Sequence, residues 1–247
     1  MISPARAVWT DGRGAVAAIG IYGKHPAFGD FIGHGLPAQA QTVLETWLQR
    51  ELPRVKAALG AAWDETYDTA PDLRFWFGGR LTGHGTLAGV LRPSRDRVGR
   101  RFPLVAAVSG GAVLPPVLAA DQALYEHFST VLDAALETQG ALAADGLAKA
   151  LSEEAPAEDT APEDSLDGPL WAANPTADPA ALLASVSTAD HLRAAAGRGY
   201  LWSAGTAQGR ASAFLSAQAF PDADALGWIL VGVAPPQTRP QEVHADE

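Results

Sequence analysis

The chain contains no cysteine, which excludes disulfides, thiolate metal sites and a cysteine nucleophile, and fits a reducing compartment. Its single methionine excludes a pliable methionine-rich groove. Positive charge is scarce, with 18 Lys and Arg against 28 Asp and Glu and a net charge of −10. The excess is local: Glu153, Glu154, Glu158, Asp159, Glu163, Asp164 and Asp167 supply −7 in a segment without Lys or Arg, leaving −3 elsewhere. A near-neutral body disfavours generic nucleic-acid binding, which needs a basic face to displace counterions from phosphates. Long apolar runs are also missing. Residues 102–120 carry no charge, but Pro103, Ser109, Gly110, Gly111, Pro115 and Pro116 interrupt them, so no membrane span is expected. Arg6 and Arg13 are not followed by the continuous apolar stretch of a secretory signal.

What is present is core material, with 47% hydrophobic residues and 7 Trp, 8 Phe and 4 Tyr in 247 residues. Residues 17–22 read as a strand, followed by a Gly-rich loop over 23–35. A helix is expected from about Pro37, with Val43, Leu44, Trp47, Leu48 and Leu52 as its apolar stripe and an end or kink at Pro53. Trp63 to Tyr67 reads as a further helical turn. From Leu73 the period becomes two: Leu73, Phe75 and Phe77 share a face, Arg74 and Trp76 take the other, and Phe102 to Val108 is apolar on both faces. Such strands are covered on both sides. The expected architecture is α/β, a three-layer sandwich with a mixed, mostly antiparallel sheet between helices. Further helices are expected over 116–139 and 187–196, the second from the Ser187 and Asp190 start signature, and a strand pair over 200–204 and 211–218. Residues 1–16 read as a flexible extension, 17–233 as one domain interrupted by an acidic loop or linker at 152–168, and 234–247 as a tail.

Two clusters are chemically suggestive. Lys24, His25, Asp30 and His34 lie among glycines, but without the Gly and Ser/Thr spacing of a phosphate-binding P-loop. The plain reading is a structural loop in which Phe28 and Phe31 plug the core and Asp30 bonds backbone amides. Arg92, Arg95, Arg97, Arg100 and Arg101, with Ser94 and Asp96, concentrate positive charge between two strands. Either Asp96 pairs with an arginine to shape a turn and the rest are solvated, or the guanidinium groups dock an acidic or phosphorylated partner segment; opposite charge suggests that the acidic segment 152–167 masks them until a partner competes. Ser94 and Ser109 lie outside any nucleophile-elbow pattern. His25, His34 and His84 lack local metal-ligand spacing, and the Gly-His-Gly triplets at 33–35 and 83–85 lack the strand and helix context of a dinucleotide site. No catalytic residue, cofactor or metal is assigned.

Three stretches in order over residues 17–110 resemble the TagF (ImpM) family. They are Gly20 to Phe31, with its Gly-Lys, Pro and Gly-Asp-Phe; Trp63 to Phe75, with its Trp, Tyr, Pro and Arg-Phe; and Ala88 to Leu104, with its Pro-Ser, Asp-Arg-Val-Gly-Arg and Phe-Pro-Leu. The C-terminal half matches less clearly, Ser203 standing where a second aromatic is expected beside Trp202. The resemblance implies a three-layer α/β fold and a cytoplasmic accessory protein of Gram-negative type VI secretion. It implies a post-translational repressor of machine assembly that binds the cytoplasmic forkhead-associated scaffold, with other cytoplasmic or baseplate components as further partners. On this reading the partner surface comprises Lys24, Asp30, Arg92, Ser94, Arg95, Asp96, Arg97, Arg100 and Arg101. The competing reading is an enzyme acting on a phosphorylated substrate through the same arginines.

Overall fold

The computed structural model describes residues 9–10, 16–111, 113–137, 170, 179–203 and 212–231. The acidic segment 152–167 and the tail from 234 lie outside the described residues. Among the described residues, eight strands form one antiparallel sheet. In chain order they are β1 (Trp9–Thr10), β2 (Val16–Gly23), β3 (Ile32–His34), β4 (Leu73–Phe77), β5 (Leu87–Arg92), β6 (Leu104–Ser109), β7 (Gly199–Ser203) and β8 (Ala213–Ala217). In space the order is β1, β2, β6, β5, β4, β7, β8, with β3 also paired to β2. Every pairing is antiparallel, at the antiparallel end of the expected mixture. Trp9 and Thr10, within the segment read as an extension, pair with Ala17 and Val16.

The period-two pattern sorts side chains into two cores, one on each face of the sheet. Phe75, Phe77, Leu87, Leu91, Val105 and Leu201 point to one face and meet α1 (Ala38–Leu59), α2 (Trp63–Asp68) and a C-terminal helix over Ala223–Val231 through Leu44, Trp47, Leu48, Leu226 and Ile229. Ile19, Ile21, Trp76, Val90, Ala106, Val108, Tyr200 and Trp202 point to the other. There they meet Tyr125, Phe128, Leu132 and Ala135 of a helix over Ala123–Glu137, and Ala195 at the end of one over Pro179–Ala195. The one-turn helix Gly79–Thr82 is α3, and these three longer helices become α6, α4 and α5 respectively. Helices thus cover both faces, giving the three-layer α/β sandwich. Among the described residues no helix is long and apolar enough to cross a membrane.

Three local expectations are corrected. Of the end or kink expected at Pro53, the end is not found: α1 continues to Leu59. Pro53 is exposed and so is Gln49, the residue whose carbonyl a donor at position 53 would have met, while buried Leu48 and Val55 hold the helix to the core on either side. The helix expected from Pro116 starts at Ala123, because Leu118 N–H bonds the Pro115 carbonyl in a separate turn and the Asp121 carboxylate caps Ala123 N–H at 3.0 Å. Ser187 does not start α5. It lies within that helix and donates to the Ala184 carbonyl at 3.1 Å, so its Ser-to-Asp spacing is a solvent-side coincidence.

Gly20 of β2 lets the chain after β3 lie directly on the sheet. A Cβ there would sit 2.1 Å from the His34 carbonyl oxygen and 2.4 Å from Leu36 N, both backbone atoms that cannot swing aside. Gly20→Ala is therefore expected to cost about 1–3 kcal/mol, as overpacking does, read as a lowered urea midpoint with an unchanged slope.

Candidate functional site

Between β5 and β6 the chain makes a tight outward hairpin. Arg95 pairs with Arg101, Asp96 N–H bonds the Arg100 carbonyl at 3.1 Å, and Gly99 N–H bonds the Asp96 carbonyl at 2.9 Å. Gly99 has φ +85°, a left-handed conformation that disfavours a side chain, and Asp at the first and Gly at the fourth position is the preferred chemistry of such a turn.

The Asp96 side chain is the centre of the hairpin. It is 2% exposed and makes four contacts. Oδ1 accepts from Val98 N–H at 3.1 Å and Arg100 N–H at 2.9 Å; Oδ2 meets Arg100 Nε at 2.6 Å and Lys24 Nζ at 3.1 Å. Burial alone would raise its pKa. The Arg100 N–H and the Lys24 and Arg100 side chains outweigh burial and hold the carboxyl well below the usual range. Lys24 is itself buried, with its ammonium 5.3 Å from the centre of the Phe31 ring.

The same hairpin is clamped to the Gly-rich loop. Arg97 N–H bonds the Phe28 carbonyl at 2.8 Å and Arg100 Nη2 bonds the Gly29 carbonyl at 2.6 Å. Arg97 Nη2 lies 3.3 Å from where a Cβ on Gly29 would stand. Ser94 Oγ donates to the Lys24 carbonyl at 2.7 Å, and the Tyr67 hydroxyl both donates to the Ser94 carbonyl and accepts from Ser94 N–H at 3.2 Å.

The nine residues assigned from sequence therefore occupy three kinds of position. Lys24, Ser94 and Asp96 are buried supports. Arg92 and Arg101 are half-buried ties: Arg92 pairs with Asp72 and with Asp133 of α4, while Arg101 makes a bidentate pair with Asp68 at 2.9 and 2.8 Å and meets Asp64 at 3.0 Å, both on α2. Arg95, Arg97 and Arg100 are exposed, with Val98 at the tip 69% exposed, and Asp30 is exposed on the neighbouring loop. Phe31 differs from the core plug expected: it is 40% exposed, lying against Tyr22 and Phe102 with ring centroids 5.6 and 4.8 Å apart. His25 is buried, its Nδ1 accepting from Ala27 N–H and its Nε2 donating to the Ala135 carbonyl, both at 3.1 Å, so both ring nitrogens are used.

Sequence reasoning missed the carboxylates that hold the arginines and a groove beside them. Asp64 and Asp68 stand one turn apart on α2, a spacing that puts both on one face, but their distant partner is set by tertiary structure. The groove, about 610 Å³, runs between α1 and the hairpin, with Leu52, Pro53, Trp63 and Phe102 among its apolar lining and Lys56, Arg100 and Arg101 as its charged residues.

The sequence model of the TagF N-terminal domain, described as type VI secretion system-associated, matches residues 20–153, more than half of the chain. The chain belongs to this family. The match takes in the buried Lys24 and Asp96, the clamped hairpin and α1. The fold is also similar to the crystal structure of PA0076 from Pseudomonas aeruginosa PAO1, with TM-score 0.68 and 27% identity over 88% of this chain and 96% of that one. None of the curated proteins compared with the chain matches it.

Two tyrosines make the region sensitive to alkali. Burial, reinforced by the charge of Glu45 and a hydrogen bond to it, pushes Tyr22 up to about 12; burial likewise raises Tyr67, against the opposing bond from Ser94. The folded state holds these protons more tightly than the unfolded state, whose tyrosines titrate near about 10. Their contribution is complete below about 10 and is lost as pH rises towards 12 and beyond. Stability measured by urea titration is expected to fall across that window. Tyr22→Phe should flatten the fall, and an unchanged slope in Tyr22→Phe would contradict the assignment.

Proposed function

We propose that this protein is a type VI secretion accessory factor that restrains assembly of the secretion machine post-translationally, in the cytoplasm, by binding its forkhead-associated scaffold through the arginine hairpin. The observation that carries this reading is the division of labour around Asp96. One buried carboxylate, held by Lys24, the Arg100 side chain and two backbone N–H groups, fixes a turn on which Arg95 and Arg97 are exposed. Exposed guanidinium groups on a rigid turn are suited to carboxylate or phosphate groups of a partner. The family's association with type VI secretion supports the setting.

Binding rather than turnover is favoured by the same geometry. Asp96, the hairpin's own carboxylate, is held ionised by two cations and is a poor proton acceptor, and the Ser94 hydroxyl is buried and donates to a backbone carbonyl. The test is calorimetric titration with the cognate scaffold, phosphorylated and unphosphorylated, at two salt concentrations. A one-to-one complex weakened by salt and by Arg95→Glu/Arg97→Glu is expected. Turnover of a phosphoester substrate that is lost in the same variant would favour the enzyme instead.

A further inference from the structure

We infer that the groove between α1 and the hairpin takes a partner segment in which a bulky apolar residue is flanked by carboxylates. This rests on the reading that the protein acts by binding, and goes beyond it in naming the groove and the chemistry of its occupant. The uncharged part of the lining is mainly apolar, with Leu52, Pro53, Trp63 and Phe102 among its residues. Trp63 packs against Tyr67 with ring centroids 4.9 Å apart, so that wall is fixed before any partner arrives. The charged residues of the lining are Lys56, Arg100 and Arg101, with no carboxylate among them.

Those cations are not equivalent. Arg101 is offset by Asp64 and Asp68, and Asp96 is shared between Arg100 and Lys24, so these charges balance and the positive excess of the hairpin side comes from the exposed Arg95 and Arg97 beside them. Lys56 is exposed on the opposite, helical side. Positive charge on both banks of an apolar lining excludes a basic occupant and leaves a purely apolar one without partners for the banks. It matches an apolar anchor carrying negative charge on either side. At about 610 Å³ the groove has room for one or two large side chains, not a folded domain.

The experiment uses the full chain labelled with nitrogen-15 and three hexapeptides. One has a leucine and phenylalanine pair flanked by two carboxylate residues on each side; the second has both central residues replaced by serine; the third is hexaglutamate. Assignment of the indole signal of Trp63 by Trp63→Phe gives a local reporter. Only the first peptide is expected to shift Trp63 together with the amides of Lys56 and Arg100, and Lys56→Glu should weaken it about tenfold without loss of fold, since Lys56 is exposed. Equal shifts from the serine peptide, shifts confined to other surfaces, or none at all would overturn the inference. So would movement of Trp63 on deletion of residues 153–164 without peptide, which would make the chain's own acidic segment the occupant. If the scaffold fails to bind while the peptide still shifts Trp63, the scaffold reading falls and the groove stands. If the scaffold binds Lys56→Glu with unchanged affinity and the peptide leaves Trp63 still, the reverse holds.

Discussion

Replacing Asp96 by asparagine is expected to destabilise the protein by about 3–5 kcal/mol, because it leaves buried Lys24 without its counter-charge. Asparagine keeps the shape and one acceptor, so the loss reports charge rather than volume. The exposed Arg100 regains water when its partner is lost, whereas Lys24, 8% exposed, does not. The partner variant separates these effects. Lys24→Met with Asp96→Asn removes both charges, and should recover much of the loss, as apolar replacements of buried pairs do. The pH dependence follows from the depressed carboxyl. Its contribution is present above the unfolded value near about 3.9 and is lost as pH falls through the lower folded value. Wild type should therefore lose stability in acid more steeply than Asp96→Asn, and parallel acid curves would contradict the central role of this carboxylate.

Trp47→Ala is the second large effect, about 3–5 kcal/mol by the cost of emptying an aromatic site in a packed core. Trp47 is 2% exposed, lies edge-on to Phe77 at 4.9 Å, and donates from Nε1 to the Pro221 carbonyl at 2.6 Å. That bond crosses from α1 to the segment leading into α6. Its loss should therefore act unevenly: hydrogen exchange in α6 should accelerate more than in α4, on the opposite face of the sheet. Trp47→Phe keeps most of the volume and tests the hydrogen bond alone, at about 1–3 kcal/mol for a buried acceptor left unpaired.

The layered fold was legible because its strands announce themselves twice, by period and by composition. Leu73, Phe75 and Phe77 against Arg74 and Trp76 describe one strand, and uninterrupted Leu104 to Val108 describes a strand buried on both faces. Helix ends were less legible, since a serine three residues before an acid marks a helix start only when the backbone there is free to begin one. At Ser187 a turn of α5 already precedes it. At Pro53 the sequence left an end or a kink open, and the helix does not end there because burial of Leu48 and Val55 outweighs one lost hydrogen bond on the exposed side.

At the candidate site the sequence identified the arginine cluster and Asp96, but not which charges face outward. Arg92 and Arg97 look alike in sequence. One is tied to Asp72 and Asp133, some 20 and 41 positions away, and the other is exposed on a turn, a difference made by where β4, α4 and the Gly-rich loop converge. The groove was invisible for the same reason: Leu52 reads as part of a helix's apolar stripe and Trp63 as part of a helical turn, and only tertiary structure places both beside the hairpin.

The most direct test of the proposed role is hydrogen exchange of the protein alone and with the cognate forkhead-associated scaffold, resolved by peptide. The account expects protection concentrated at residues 95–101, with accompanying protection at 49–56, and both lost in Arg95→Glu/Arg97→Glu. Protection confined to α5 and β8, with the hairpin unchanged, would contradict it.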